Sequence, residues 1–289
     1  MKLNIIKRKY QKLLFAAVRG LKFSKNDYFR LLNIKAMNSV ERHQAILDQL
    51  KENGSVNVLE LCKQLKVSSV TVRKDLKLLE DRQLLFRTHG GATLINPYTI
   101  DRTVFEKEKI QTSEKTAIAK EAASMITAND SIIIASGTTV QAMAREIQPV
   151  GNLTVVTSAL NVAVQLIKHP DVEILQLGGI LRKSSTSVAG LYAEQILGDF
   201  FCSKLFLGVD GIDLEFGLTT TNAQEAHLNR KMMEVSQKVI VLADSTKFGR
   251  RGFGRICGID EVDYIITDSG VSPHTVTALE KLGVKVTVV

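Results

Sequence analysis

The chain has few cysteines, and their placement excludes two common uses of that residue. Cys62, Cys202 and Cys257 are isolated, odd in number and without C-x-x-C spacing, so they indicate neither a disulfide framework nor a metal site. Long apolar runs are missing as well, because no stretch approaches the roughly 20 residues that span a bilayer. We therefore expect a protein of the reducing cytoplasm that makes no membrane contact.

Length and charge set further bounds. With 289 residues, 45% of them hydrophobic and 24% charged, the chain is long enough for two domains. The net charge is +8, but residues 1–36 alone hold ten Lys or Arg residues against one acid, Asp27. Residues 38–90 carry nine cations and seven anions. The overall charge is therefore no argument for a nucleic-acid partner.

The basic extension, residues 1–37, lacks the character of a signal peptide. Its apolar stretch, residues 13–18, is short and is followed at once by Arg19. Three interpretations stay open: a basic arm with nonspecific affinity for phosphate, a partly helical appendage, or a translation start assigned too far upstream. Met37 stands just ahead of the first predicted helix, which favours a native start at that residue.

Residues 38–94 have the pattern of a winged helix-turn-helix, with the helix-turn-helix itself at about residues 55–74. The segment V-S-S-V-T-V-R-K-D-L, residues 67–76, opens with a helix N-cap and then repeats apolar residues at helical spacing. Two helices are predicted to precede it. The segment L-L-F-R-T-H-G-G-A-T-L, residues 84–94, alternates and contains a Gly-Gly pair, as a small hairpin would.

The polar face of the third helix is suited to the major groove of double-stranded DNA, where phosphates position a helix and base edges supply specificity. Taken alone, such a helix is more often an ordinary solvated one. The order of three helices and a hairpin favours DNA. For His89 in the hairpin, a purely structural role is the alternative. The predicted DNA-binding residues are Ser68, Ser69, Thr71, Arg73, Lys74, Lys77, Arg87 and His89.

The remainder of the chain, residues 116–289, alternates strands and helices and predicts an α/β domain with a mostly parallel sheet. Seven strands are expected to begin near residues 131, 153, 172, 204, 239, 264 and 284. Between the domains, residues 95–115 contain Pro97 and mixed charges. We expect this interval to be a linker that packs loosely or begins a helix at Ser113.

Polar residues collect after the predicted strands, at the edge where such sheets bind ligands. The first group, S-G-T-T at residues 136–139, opens a helix whose N–H groups and dipole favour an anion such as phosphate. The same turn also occurs merely as a helix cap. It is not a Walker loop, and no cofactor is predicted. The candidate ligand-binding residues, each with a surface or turn-forming role as its alternative, are Ser136, Gly137, Thr138, Thr139, Ser158, Asn161, Gly178, Gly179, Arg182, Asp210 and Lys247.

These patterns resemble the DeoR family of bacterial transcription regulators. The family's G-x-V-x-V-x-E-L, V-S-x-x-T-I-R-x-D-L and R-x-H-G-G-A appear at residues 54–61, 67–76 and 87–92, with Val in place of Ile in the second. Its G-T-T, G-G-x-L-R, G-V-D-G-I-D and A-D-S-T-K-F-G landmarks follow in the second domain. Ser158 departs from the Asn of many relatives, which affects that corner of the site.

The resemblance implies a sensor domain similar to ribose-5-phosphate isomerase that binds a phosphorylated sugar effector. It also implies operator DNA as a partner, a homo-oligomer (dimer or tetramer), and repression of a carbohydrate catabolic operon that the effector relieves. Activation stays an alternative. Residues 206–230 look most similar to regulators of amino-sugar or galactosamine operons.

A sugar-phosphate isomerase fused to a DNA-binding module is the alternative function. Isomerisation needs a carboxylate near the substrate, and Asp210 and Asp213 are both retained. However, the isomerases usually carry Glu after the first of these acids, where this chain has Gly211. We therefore expect binding without turnover. A DNA-binding architectural protein without an effector would leave the phosphate-competent loops unexplained.

Overall fold

A computed structural model of the protein describes residues 37–82, 84–88, 90–94, 101–149 and 151–289. The basic extension up to residue 36 and the candidate site residue His89 lie outside these ranges. The chain divides into two units, Met1–Pro97 and Tyr98–Val289. Within the described ranges, none of the helices has the length and apolarity to cross a membrane.

Three helices and a three-stranded antiparallel sheet form the described part of the first unit. The sheet has the order β1-β3-β2, so the last hairpin pairs with the strand between the first two helices. The elements are α1 (Ser39–Asn53), β1 (Ser55–Asn57), α2 (Val58–Leu65), α3 (Ser69–Asp81), β2 (Phe86–Thr88) and β3 (Gly91–Thr93). This is the predicted winged helix-turn-helix.

Local signals fix the ends of the helices. Asn38 and Glu41 form a capping box at the start of α1, and Gly54 ends that helix in the left-handed region at φ +72°. Ser68 caps α3 by accepting the backbone N–H of Thr71 at 3.2 Å. The apolar faces of the helices then meet in one core, where each fully buried Leu or Ile contributes about 1.5–3 kcal/mol. Its fully buried members include Ile46, Leu50, Leu61, Val72, Leu76 and Leu79.

A buried carboxylate joins α3 to α1, and the sequence pattern did not predict it. Asp75 is 7% exposed and pairs with Arg42 at 2.5 Å and with His43 at 3.0 Å. Burial raises the pKa of Asp75, but the hydrogen bonds from Arg42 and His43 outweigh it and leave the pKa below its ordinary value. The pairing fixes the position of α3 against α1.

The hairpin that follows α3 depends on Gly91. A Cβ at this position would lie 1.9 Å from the carbonyl oxygen of Val56 in β1, so only glycine allows the two strands to pair. The backbone N–H of Arg87 donates to Glu80 of α3 at 2.8 Å. The hairpin is thereby held against both β1 and the end of α3.

The second unit is built around a seven-stranded, entirely parallel sheet with apolar cores on both faces. Such sheets are buried on both sides, which explains the near-continuous apolar runs in the strand sequences. In chain order the unit contains α4 (Val104–Glu108), α5 (Thr112–Ser124), β4 (Ser131–Ile134), α6 (Thr138–Glu146), β5 (Leu153–Thr157), α7 (Leu160–Leu166), β6 (Val172–Gln176), β7 (Ile180–Arg182), β8 (Ser187–Ala189), α8 (Leu191–Leu197), β9 (Lys204–Gly208), β10 (Gly211–Asp213), β11 (Gly217–Thr220), α9 (Ala223–Glu234), β12 (Val239–Leu242), β13 (Gly254–Cys257), β14 (Tyr264–Thr267), α10 (Pro273–Lys281) and β15 (Lys285–Val288).

The strand order of this sheet reverses once. It reads β15-β14-β12-β9-β4-β5-β6, so the chain first builds outward from β4 through β5 to β6 and then returns to the other side of β4. The reversal therefore lies between β4 and β9, whose following loops diverge. Open α/β sheets bind ligands at the carboxyl ends of strands at such a switch point.

The predicted fold class is confirmed: a winged helix-turn-helix is followed by an α/β domain, and all seven predicted core strands occur in its sheet. Several short elements were not predicted, among them α4, α8 and the small antiparallel pairs β7-β8 and β10-β11. Residues 101–115, expected as part of a linker, contain α4 and the start of α5. Helix α4 is only five residues long, and its capping box is formed by Thr103 and Glu106.

Candidate functional sites

The first candidate site is the outer face of α3. Arg73, Lys74 and Lys77 are exposed there, as is the capping residue Ser68. Ser69 and Thr71 are half-buried, and the hydroxyl of Thr71 lies 3.0 Å from that of Ser68. The cations are thus available to phosphates or base edges, whereas the hydroxyl of Thr71 already has a partner in the cap.

The same face carries an apolar residue that the sequence reasoning missed. Val70 is 61% exposed, and Val70, Arg73 and Lys77 recur at the i, i+3 and i+7 spacing that places residues on one side of a helix. An exposed methyl-bearing side chain one turn before Arg73 can contact the methyl group of thymine in the major groove. Its position outside the buried stripe of α3 is the sequence signal that identifies it.

Arg87 in the hairpin is held by the end of α3. Its guanidinium Nη1 lies 3.6 Å from Glu80 Oε2, and both side chains are partly exposed. A surface pair of this kind contributes little to stability. Arg87 can therefore exchange Glu80 for a DNA phosphate at small cost.

The second candidate site is a pocket at the switch point between β4 and β9. The loops after these strands approach closely because glycines occupy both sides. A Cβ on Gly208 would lie 3.1 Å from the carbonyl oxygen of Ser136, and Gly137 adopts φ +133°. The pocket is lined by Ser136, Gly137, Thr138, Thr139, Gly208, Val209, Asp210 and Lys247, together with residues of three other segments.

One side of this pocket is suited to an anion. Helix α6 begins at Thr138, and its N-cap, Gly137, provides no side-chain hydrogen bond, so the first N–H groups of the helix have no side-chain cap. Lys247, from the turn that follows β12, lines the same pocket. Burial lowers the pKa of Lys247, although Asp210 and Asp244 act in the opposite direction. An uncapped helix N-terminus beside a half-buried ammonium is an arrangement that binds phosphate.

Asp210 lies at the centre of a charge network in the pocket. Its carboxylate accepts hydrogen bonds from Lys107 Nζ at 2.9 Å and from the hydroxyl of Thr220 at 3.1 Å. Burial raises the pKa of Asp210, but the charges of Lys107 and Lys247 outweigh this effect and keep the pKa below its ordinary value. The carboxylate is therefore ionised at neutral pH.

Residues 101–110, which we call the strap, cross the pocket and were missed by the sequence reasoning. Asp101 binds Arg182 at 2.7 Å, the backbone N–H of Val104 donates to Ser184 at 2.7 Å, and Lys107 binds Asp210. The partners lie more than 75 residues away in sequence, which is why no local pattern revealed the contacts. Four strap residues line the pocket: Asp101, Arg102, Val104 and Lys107.

A buried lysine anchors the end of the strap. Lys115 is 6% exposed, and its Nζ donates to the carbonyl oxygens of Lys107 and Ile110, each at 2.6 Å. Burial, together with the charges of Lys247 and Lys107, lowers the pKa of Lys115 to about 8 against the opposing effect of Asp244. Lys115, near the start of α5, thus holds the second half of the strap.

Helix α9 provides another wall, with Glu225 and Asn229 one turn apart. Glu225 pairs with Arg182 at 2.5 Å and also lies 3.4 Å from the hydroxyls of Ser187 and Thr220. Asn229 is 5% exposed. Neither residue was identified from the sequence, although their i, i+4 spacing is the signal that places them on one face.

The structure brings together only part of the predicted ligand-binding set. Ser136 to Thr139, Asp210 and Lys247 line the pocket, whereas Ser158, Asn161, Gly178, Gly179 and Arg182 do not. Ser158 is buried beside β8, where its carbonyl oxygen accepts the N–H of Val188 at 2.9 Å. Arg182 does not line the pocket, but it binds two acids that do, Asp101 and Glu225.

The two acids of the isomerase alternative are separated. Asp210 lines the pocket, but Asp213 does not. Its carboxylate instead binds Arg251 at 2.9 Å and accepts the backbone N–H groups of Glu215 and Phe216. These acids do not form a catalytic pair. In the described ranges, we find no group of three or more His, Cys, Asp or Glu side chains arranged to hold a metal ion.

Comparison with known proteins identifies both units. Residues 42–98 match the DeoR-like helix-turn-helix domain, and residues 110–269 match the DeoR C-terminal sensor domain. A protein of Escherichia coli O157:H7 named as an aga operon transcriptional repressor is 39% identical over 251 residues, which cover 86% of this chain and 93% of that protein. The chain belongs to the DeoR family.

Other relatives of this DeoR family member include the glycerol-3-phosphate regulon repressor of Escherichia coli K12. It is 32% identical over 246 residues, which cover 85% of this chain and 96% of the repressor. Among solved structures, a ribose 5-phosphate isomerase A from Methanocaldococcus jannaschii aligns with 46% of this chain and 53% of its own, at 13% identity and a TM-score of 0.34. Most of the strap falls between the two matched DeoR ranges.

Proposed function

We propose that the protein is a DNA-binding transcriptional regulator, a repressor of a carbohydrate catabolic operon that a phosphorylated sugar releases from its operator. The observation that carries this proposal is the pocket at the β4-β9 switch point, where an uncapped helix N-terminus and Lys247 meet, in a chain that also holds a winged helix-turn-helix. The names of the relatives, repressors of an aga operon and of a glycerol-3-phosphate regulon, support it.

In this proposal, α3 enters the major groove and the hairpin lies against the backbone. Arg73, Lys74 and Lys77 supply the cations, and a homo-oligomer, a dimer or tetramer, places two copies of α3 at operator spacing. Because the phosphate contacts are electrostatic, operator affinity should fall steeply with salt. The cations of residues 38–90 are nearly balanced by acids, so DNA affinity depends on the positions of the cations rather than on net charge.

The strap provides a physical route from effector to DNA. An incoming phosphate competes with Asp210 for Lys107 and Lys247, which weakens the Lys107–Asp210 pair that holds α4 in place. The strap is joined through residues 95–100 to the DNA-binding unit. An effector that binds one arrangement of the strap better than another shifts the population between them.

The test is fluorescence anisotropy of the full-length protein on the DNA upstream of its own gene, at fixed salt. The titration is repeated with a panel of hexose, amino-sugar and pentose phosphates. We expect one of these to change operator affinity at least about tenfold, a coupling of about 1.4 kcal/mol. If DNA does not bind and one sugar phosphate is isomerised, the enzyme alternative replaces this proposal.

A further inference from the structure

Asn229 combines deep burial in the pocket wall with an unused amide. It is 5% exposed and lines the pocket, yet its side chain forms no hydrogen bond with any residue in the described part of the chain. Asn229 is not among the described residues whose buried polar atoms lack a partner, so its amide opens onto the pocket. An amide that faces a pocket without a partner in the protein is available to a ligand.

The neighbouring wall residue shows the contrast. Glu225, one turn earlier on α9, has its carboxylate occupied by Arg182 at 2.5 Å and by the hydroxyls of Ser187 and Thr220. Asp210 is likewise occupied by Lys107 and Thr220. Asn229 thus keeps its hydrogen-bonding capacity where the acids around the pocket have used theirs.

We infer that Asn229 is a specificity-determining residue, which hydrogen-bonds a hydroxyl or amide substituent of the sugar rather than its phosphate. A carboxamide offers two donors and one acceptor, so it can pair with a hydroxyl or an amide substituent, each of which both donates and accepts. Phosphate at neutral pH mainly accepts, and the start of α6 and Lys247 already suit it. This inference rests on the proposed function. It names the residue that recognises the sugar, whereas the start of α6 and Lys247 suit the phosphate.

Isothermal titration calorimetry on the full-length protein tests this division. The probes are inorganic phosphate, glucose 6-phosphate, galactose 6-phosphate, glucosamine 6-phosphate and N-acetylglucosamine 6-phosphate. Asn229→Leu removes the amide at similar size, and Gln224→Leu, on the exposed side of the same helix, is the matched control. Asn229→Asp, which removes both donors at the same size, repeats the test if the Leu variant does not fold.

In Asn229→Leu, the sugar phosphate that binds the wild type tightest should bind about ten- to hundredfold more weakly, because its polar substituent is left unpaired. Inorganic phosphate should bind with an affinity within about twofold of the wild type, and the Gln224→Leu control should match the wild type for every probe. Without ligand, Asn229→Leu should melt at about the same temperature as the wild type, because the amide that it removes forms no hydrogen bond within the described part of the protein.

Two results would overturn the inference alone. One is a sugar-phosphate affinity that is equal in Asn229→Leu and the wild type. The other is a parallel loss of inorganic phosphate, sugar phosphate and thermal stability, which would mean that Asn229 supports the wall. A wild-type protein that binds operator DNA but none of the phosphates would instead overturn the proposed effector, and the inference with it.

Discussion

The ammonium of Lys107 lies 2.9 Å from the carboxylate of Asp210, which joins the strap to the loop that ends the central strand β9. Both side chains are largely buried, so the pair is screened less than one on the surface. Removal of one partner from such a pair leaves the other charge uncompensated. The ion pair therefore stabilises the strap only while no other anion competes with Asp210 for Lys107.

Lys107→Met should loosen the strap without a change at the α3 surface. Loss of the ion pair leaves Asp210 with hydrogen bonds from Thr220 and Thr221, and we expect the unit to lose about 1–3 kcal/mol of stability. Operator affinity measured without effector should change in the direction that the effector produces in the wild type. Lys109→Met, an exposed position on the same segment, is the control. Wild-type operator affinity in Lys107→Met would remove the strap from the mechanism.

Arg73→Ala tests the DNA-binding face separately from the pocket. If Arg73 contacts a base edge, operator affinity should fall by about 1–3 kcal/mol and discrimination at one base pair should relax. Affinity for the effector should not change, since the substitution lies in the other unit. Lys281→Ala, which removes one exposed positive charge from α10, controls for net charge. If Arg73→Ala binds every operator sequence as tightly as Lys281→Ala does, Arg73 does not contact a base edge.

The structure also shows how far local sequence patterns can lead. The seven sheet strands and the helix cap at Ser68 were predicted, because burial on both faces and capping depend on a few consecutive residues. The S-G-T-T turn was found for the same reason. The strap contacts were not, because Asp101–Arg182 and Lys107–Asp210 join residues far apart in sequence, and helix α4 is too short for a periodic pattern.

Some residues that the sequence predicted for the ligand site do not line the pocket, and the reason is similar. Ser158, Gly178 and Gly179 also follow core strands, and strand ends were taken as one edge. However, β5 and β6 lie beyond β4 on the side away from β9, and Ser158, Gly178 and Gly179 do not line the pocket at the switch point. The strand order, which depends on contacts distant in sequence, decides which strand ends form the pocket.

Lys247→Met should uncouple the effector from the operator. The lysine is partly buried in the pocket and faces Asp210, and its removal takes away a positive charge that would face the phosphate. We expect affinity for the effector to fall at least about tenfold, operator binding to persist, and release by the sugar phosphate to fail. Lys238→Met, an exposed lysine just before β12, is the control. A normal effector response in Lys247→Met would place the phosphate elsewhere.

Lys115 predicts a stability that rises with pH in the alkaline range. Its pKa is about 8 in the folded protein against 10.5 for an ordinary lysine, so between these values the unfolded chain binds more protons than the folded one. Stability therefore increases as pH rises from about 8 to 10.5, by about 3 kcal/mol from this group, and the penalty is fully present below pH 8. Lys115→Met keeps the aliphatic stem but removes the titration, so other groups affect both proteins alike. In urea unfolding, the free energy of the wild type minus that of Lys115→Met should rise across this window, and a flat or falling difference would mean that folding does not lower the pKa of Lys115.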